Sequence, residues 1–220
     1  MPETVESYWD DFFARHPSLT PCRTTVVAGY TRLVDTLSAG GTLFVCGNGG
    51  SASDADHIVG ELMKRFRLER PMPDKLTRHF SRLSEETRTA LEGTLEVPFR
   101  AMALGRQTAL ASAFSNDVDP SLEFAQELLG YGQPSDALLA LSTSGNSRNV
   151  VLAAELAGAM GLYTIGLTGR NGGRLAGVCE TVIRVPAEDT AAVQEYHLPI
   201  YHALCAAVEL DYVTRRSDWR

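Results

Sequence analysis

The sequence predicts an α/β protein: a parallel sheet with helices on both of its faces. Three observations lead there. Short apolar runs rich in strand formers alternate with longer segments of helical periodicity, the pattern of strands joined by right-handed crossovers. Three of those runs release into loops rich in Gly, Ser, Thr and Asn, at 47–51, 142–147 and 168–173. The 44 % hydrophobic content of the 220 residues is enough for the core of one compact domain, assigned to 1–220, with a helical extension at 1–40.

Residues 1–40 read as two helices separated by Pro17 to Pro21. In the second, Val26, Val27, Tyr30, Leu33, Val34 and Leu37 form one apolar stripe, which Gly40 and Gly41 end. Such a pair either covers an edge of its own sheet or packs against a second copy. Trp9, Phe12 and Phe13 on the first helix point to oligomer contact. Leu43 to Cys46 is the opening strand, Gly47 to Gly50 a tight loop, and Ser51 starts a helix. From 67 to 96 the apolar runs give way to charge, and 74–93 reads as a helical insertion with Ser84 as N-cap and Gly93 as stop. It reads as a solvated flap, and His79 within it as a surface residue.

The α/β rhythm returns with a strand at Val97 to Leu104 and a helix through Phe114, then a polar turn at Ser115, Asn116 and Asp117. A short helix at 121–130 and a strand at Asp136 to Leu141 run into Ser142-Thr143-Ser144-Gly145-Asn146-Ser147. A helix from Arg148 to Met160, strands at Tyr163 to Leu167 and Thr181 to Val185, and a long helix from near Thr190 complete the pattern.

A formal charge of −7 argues against a nucleic-acid surface. The acidic start, Met1 to Asp11, is unlike a signal peptide and no long apolar run occurs, so a cytoplasmic protein without membrane contact is expected. Cys22, Cys46, Cys179 and Cys205 lack CxxC spacing, which argues against disulfides or a thiolate zinc site, and Cys46 and Cys205 read as core.

Two loops have the character of an anion seat. GNGGS is stripped of side chains where backbone N–H groups emerge from a helix N-terminus, and it is no Walker loop because no lysine follows. STSGNS offers up to four hydroxyls and the N–H groups of an incipient helix, suited to a phosphomonoester. His57 and Glu61 share a helix face, which alone would read as a solvated pair. Gln194, Glu195, His197 and His202 lie on the last, largely apolar helix, where a histidine is either a core residue or a ligand. Together with His57 and Glu61 they offer donors enough for a four-coordinate divalent metal.

GNGGSASDADH with Glu61, the pair Asn116-Asp117, STSGNS and QEYHLPIYHALC, in that order, resemble the SIS (sugar isomerase) domain, and within it the phosphoheptose isomerases. The resemblance covers most of the chain apart from the insertion. It implies a flavodoxin-like five-stranded parallel sheet, a homotetramer with active sites at subunit interfaces, and one Zn2+ per subunit. It also implies interconversion of sedoheptulose 7-phosphate and a D-glycero-D-manno-heptose 7-phosphate. By that likeness Asn48, Gly49, Gly50, Ser51, Ser142, Thr143, Ser144 and Ser147 hold phosphate and sugar hydroxyls, and Asn116 and Asp117 meet the sugar chain. Glu61 and Gln194 complete the substrate contacts.

His57, Glu61, Gln194 and His202 match the zinc positions, with Glu61 and His202 as the acid–base pair. Gln194 and His202 stand roughly 12 Å apart along a straight helix. One ion takes both only if Pro199 bends the helix, if Gln194 precedes its regular part, or if subunits share ligands; His197 is the substitute. The insertion leaves the identity of the sugar phosphate open. SIS domains also serve as sugar-phosphate sensors and replication-initiation scaffolds, and retention of His57, Glu61, Gln194 and His202 favours the enzyme.

Overall fold

The computed structural model describes residues 4–215 and 219. Residues 1–3 of the expected extension, and 216–218 and 220 of the expected domain, lie outside the described residues. Helices α1 (Val5–Arg15) and α2 (Arg23–Ser38) lead into β1 (Leu43–Cys46) and α3 (Gly50–Met63). The short helices α4 (Asp74–Thr77) and α5 (Glu85–Leu91) precede β2 (Ala101–Ala103), α6 (Thr108–Asp117), α7 (Glu123–Tyr131) and β3 (Ala137–Leu141). Then follow α8 (Arg148–Ala159), β4 (Tyr163–Thr168), α9 (Leu175–Val178), β5 (Thr181–Arg184) and α10 (Thr190–Thr214).

All strand pairings within the sheet are parallel, in the order β2-β1-β3-β4-β5. This is the expected five-stranded flavodoxin-like sheet. Its chain direction of growth reverses between β1 and β3, the point where such sheets open a crevice beyond their carboxyl ends. β1 and β3 are buried at every residue because both faces are covered. Leu43, Val45, Ala137 and Leu139 face a core shared with α1, α2, α3 and α10, whereas Phe44, Cys46, Leu138 and Ala140 face one shared with α7 and α8. That division follows the two-residue period of a strand.

The structure corrects four expectations. Trp9, Phe12 and Phe13 do not await a second copy: they are 3 %, 2 % and 4 % exposed within the chain, packed in the core that α10 lines. An apolar stripe fixes that a partner exists without naming it. Only Ala101–Ala103 of the expected 97–104 strand pairs in the sheet. The N–H groups of Val97 and Phe99 go instead to the carbonyls of Arg70 (2.9 Å) and Leu62 (3.0 Å), and Pro98 has none to give. Asn116 and Asp117 form the last turn of α6 and not a loop, because that helix starts only at Thr108, after a turn at Gly105. The 121–130 helix opens with a separate 3₁₀ turn at Pro120–Leu122.

The 74–93 region is helical as expected, with Ser84 capping α5, and neither α5 nor the 3₁₀ helix Arg78–Arg82 has a buried residue. All four cysteines are free.

One buried ion pair ties the chain leaving α3 to α10. Arg70 and Glu209 are each 1 % exposed, and Arg70 Nε lies 3.3 Å from Glu209 Oε1. Glu209 also accepts the N–H groups of Phe66 (2.9 Å), Arg67 (2.7 Å) and Leu68 (2.8 Å), while Arg70 donates to the Leu62 carbonyl at 2.8 Å. The guanidinium stacks over Phe99 at 4.3 Å. Desolvating two charges is offset here by their attraction and by the hydrogen bonds to Glu209 and from the guanidinium, while Arg70 Nε faces Glu209 without a well-aligned hydrogen bond. Glu209→Ala strands Arg70 and three amide donors, so it is expected to lower unfolding stability by about 3–5 kcal/mol in urea titrations.

Candidate active site

The crevice at the β1/β3 switch is walled by two helices whose N-termini lack side-chain caps. Gly49 precedes α3 with φ +54°, and no side chain caps that helix. Gly47 has no room for a Cβ, which would stand 2.7 Å from the Ser51 carbonyl oxygen. Across the crevice Ser147 precedes α8 and caps nothing; its hydroxyl pairs with that of Ser142 at 3.0 Å. Apart from the N–H of Ala52, which goes to the Gly49 carbonyl, and that of Val150, which goes to the Asn149 side chain, the first-turn N–H groups and the helix dipole make each end a seat for negative charge. Asn48 and Asn149 clasp one another across the gap, each side-chain amide donating to the other at 2.8 Å.

The third glycine-rich loop supports the second. Gly169 N donates to Thr143 O at 3.0 Å, Leu175 N to Gly145 O at 3.0 Å, and Arg174 N to the Asn146 side chain at 3.0 Å. Gly145 takes φ +67° and packs so closely on Gly172 and Gly173 that a Cβ would collide with their backbone. Ser144 stays exposed; its hydroxyl accepts the Asn146 backbone N–H at 3.1 Å and its carbonyl the Asn146 side-chain amide at 3.0 Å.

Beyond the first turns of α3, its contact with α10 gathers a second set of groups. His57 Nε2 lies 3.1 Å from Glu61 Oε1 and 3.4 Å from His202 Nε2. His57 Nδ1 lies 3.1 Å from the Tyr201 hydroxyl, which donates to Asp54 Oδ1 at 3.1 Å. Glu61 is 15 % exposed in its side chain, and its Oε2 is buried without a hydrogen-bond partner. Burial, reinforced by His57, pushes the His202 ring below the usual imidazole range, with Glu61 opposing. Burial likewise raises the Asp54 carboxyl, against the Tyr201 hydrogen bond.

His57, Glu61 and His202 therefore meet. Gln194 does not join them: it lies against Gly50, whose added Cβ would stand 3.0 Å from the Gln194 Cδ. Gly50 opens α3, about 10 Å from His57 along that helix. α10 is already helical from Thr190 on, so a late helix start does not bring Gln194 nearer. Asn116 and Asp117 are exposed and bond to each other at 2.7 Å. Sequence reasoning missed Asp54, Tyr201 and Asn149. Asp54 was accessible, since it shares a face with His57 three residues on, whereas Tyr201 carried no signal.

Among the described residues, no group of three or more His, Cys, Asp or Glu is laid out as a metal site. A cleft of about 660 Å³ between α1 and α10 reaches His202 past Arg15 and Arg67, but neither anion-friendly loop lines it.

The sheet order, the two uncapped helix ends at its switch point and the histidine–glutamate group beyond them define a protein of the sugar isomerase domain class. The SIS domain pattern matches residues 94–169. A phosphoheptose isomerase from Akkermansia muciniphila is 41 % identical over 175 residues, covering 80 % of this chain and 79 % of its own. One from Rhodospirillum rubrum is 37 % identical over 191 residues, covering 87 % and 88 %. The solved structure of a phosphoheptose isomerase from Francisella tularensis superposes with a TM-score of 0.72 at 29 % identity, covering 93 % of this chain and 95 % of that one. The chain belongs to the phosphoheptose isomerase family.

His197, the substitute ligand, is 0 % exposed and its ring nitrogens have no hydrogen-bond partner of good geometry. Burial pushes its pKa from 6.5 down to about 4. It is harder to charge folded than unfolded, so the stability it permits is whole above pH 6.5 and lost as pH falls from 6.5 towards 4. His197→Leu is expected to remove about 3 kcal/mol of that acid-side loss, read as a flatter dependence of denaturation midpoint on pH.

Proposed function

We propose that this protein is an aldose–ketose isomerase interconverting sedoheptulose 7-phosphate and D-glycero-D-manno-heptose 7-phosphate through an enediol. The observation that carries the reading is the meeting of His57 and Glu61 on α3 with His202 on α10, beyond the end of α3 that faces the hydroxyl-lined loop.

The phosphate sits between the α3 and α8 N-termini, held by Asn48, Gly49, Gly50 and Ser51 on one side and Ser142, Thr143, Ser144 and Ser147 on the other. Backbone and hydroxyl donors bind a dianion there without a lysine. Gln194, beside Gly50, contacts the sugar, as do Asn116 and Asp117 from the end of α6. Glu61 takes the carbon-bound proton and returns it to the neighbouring carbon. His202, kept neutral by its surroundings, moves the oxygen-bound protons.

His57, Glu61 and His202 would supply donors to one zinc ion, held loosely enough that Glu61 and His202 still exchange protons, although the three are not laid out as a finished metal site. Their 3.1 and 3.4 Å separations lie near the edge of a tetrahedron with bonds of about 2.0–2.1 Å, and the second Glu61 oxygen is a buried orphan. Gln194, the fourth position of the family pattern, would join only from a neighbouring copy, and zinc here would polarise the sugar carbonyl as a Lewis acid.

The reading takes 1–220 as one SIS domain with an extension at 1–40 and an insertion at 74–93. It works in the cytoplasm as a homotetramer with active sites at subunit interfaces. Exposed Val118, Leu129 and Tyr131 support contact with further copies, and no helix among the described residues is long and apolar enough to cross a membrane.

Assay of heptose, hexose and pentose phosphates with and without chelator tests the reading. Sedoheptulose 7-phosphate is expected to turn over fastest, chelator to slow it, and Glu61→Gln to lower kcat by about 10²–10⁴-fold; no turnover on any of them would end it. Ser144→Ala is expected to raise KM about tenfold or more while kcat changes little, as for a lost hydrogen bond to a charged group.

A further inference from the structure

We propose that Asp54 and Tyr201 form a positioning relay that holds the His57 ring with its proton on Nδ1 and its Nε2 lone pair facing Glu61 and His202. The proposal rests on the isomerase reading for its catalytic consequence only.

Tyr201 is 1 % exposed and its hydroxyl has two neighbours, Asp54 Oδ1 at 3.1 Å and His57 Nδ1 at 3.1 Å. A phenol has one proton to give and a carboxylate can only accept. The phenolic proton therefore goes to Asp54, and the phenol oxygen is left to accept N–H from His57 Nδ1. A neutral imidazole protonated on Nδ1 keeps a lone pair on Nε2, the atom 3.1 Å from Glu61 Oε1 and 3.4 Å from His202 Nε2.

Without the relay the proton would settle on Nε2, where the Glu61 carboxylate would accept it. His57 would then occupy the base with a hydrogen bond and present no lone pair to a cation. With the relay, His57 and Glu61 are both acceptors, so the space between them is a seat for positive charge and Glu61 keeps its proton-accepting capacity. Asp54 stands one turn before His57 on α3, and Tyr201 beside His202 on α10, so the same contact that assembles the group also sets its tautomer.

The test is the histidine nitrogen NMR spectrum of the metal-free protein near pH 8, for wild type, Tyr201→Phe and Asp54→Ala. His57 is expected to carry its proton on Nδ1 in wild type and on Nε2 in both variants. In Tyr201→Phe the Nδ1 acceptor is gone. In Asp54→Ala the phenol, freed from its carboxylate, turns to donate to Nδ1. Zinc affinity by chelator competition and kcat are each expected to fall about 10–100-fold, with KM within about twofold of wild type.

An Nε2–H signal in wild type, or a wild-type spectrum and wild-type zinc affinity in both variants, would overturn the relay. A wild-type protein showing the expected tautomer but no turnover on any sugar phosphate would support the relay and overturn the isomerase reading instead.

Discussion

The site depends on the register of α3 against α10, two helices that are neighbours in space and far apart in sequence. That register is not left to apolar packing, which tolerates sliding. Glu209 takes three consecutive N–H groups of the segment leaving α3 and the Arg70 guanidinium besides, and Arg70 reaches back to the last turn of α3. The hydrogen bonds among these are directional and partly or fully buried, so a displacement of either helix would break several at once. The pair sits seven residues beyond His202 along α10, two turns away, and holds the stretch on which the placement of His57 and Glu61 relative to His202 rests.

The other half of the site depends on the sheet. Parallel strands release their chains at one edge, and the reversal of strand order between β1 and β3 leaves a gap there that no crossover fills. The two loops at this gap are fixed by different means. The first is narrowed until Gly47 touches Ser51, and the second is braced from behind by the loop after β4, through Gly145 on Gly172 and Gly173. Division of labour follows from this arrangement: rigid backbone shapes one part of the site, and side chains from two helices shape the other.

What could be read from the sequence follows the same division. The inner strands were legible because both of their faces are covered, and Leu43–Cys46 and Ala137–Leu141 are accordingly apolar throughout. The loops were legible because only Gly and small hydroxyl residues tolerate such backbone and such contact. His57 and Glu61 declared a common face by their spacing, but nothing in that spacing points to His202, and it was the likeness of several motifs in order that joined them. Local pattern failed where the partner is remote. Val97 and Phe99 have the look of a strand, yet their amides are claimed by Arg70 and Leu62. Trp9, Phe12 and Phe13 announce a burial without saying in what. Tyr201 reads as one more apolar residue of α10, and only the folded chain shows its hydroxyl between Asp54 and His57.

The clasp between Asn48 and Asn149 carries a liability over the lifetime of the molecule. Asn48 is exposed and followed by glycine, the neighbour that least hinders cyclisation of an asparagine side chain onto the next amide. Hydrolysis of that ring leaves aspartate or its β-linked isomer. Either product would set a carboxylate against the Asn149 carbonyl, removing one of the two bonds that close the gap and placing a negative charge between two helix N-termini. Slow chemical ageing at one peptide bond would thus loosen the gap and recharge its mouth while leaving the two cores and the α3–α10 contact intact, so an old preparation would keep its melting temperature and differ only there.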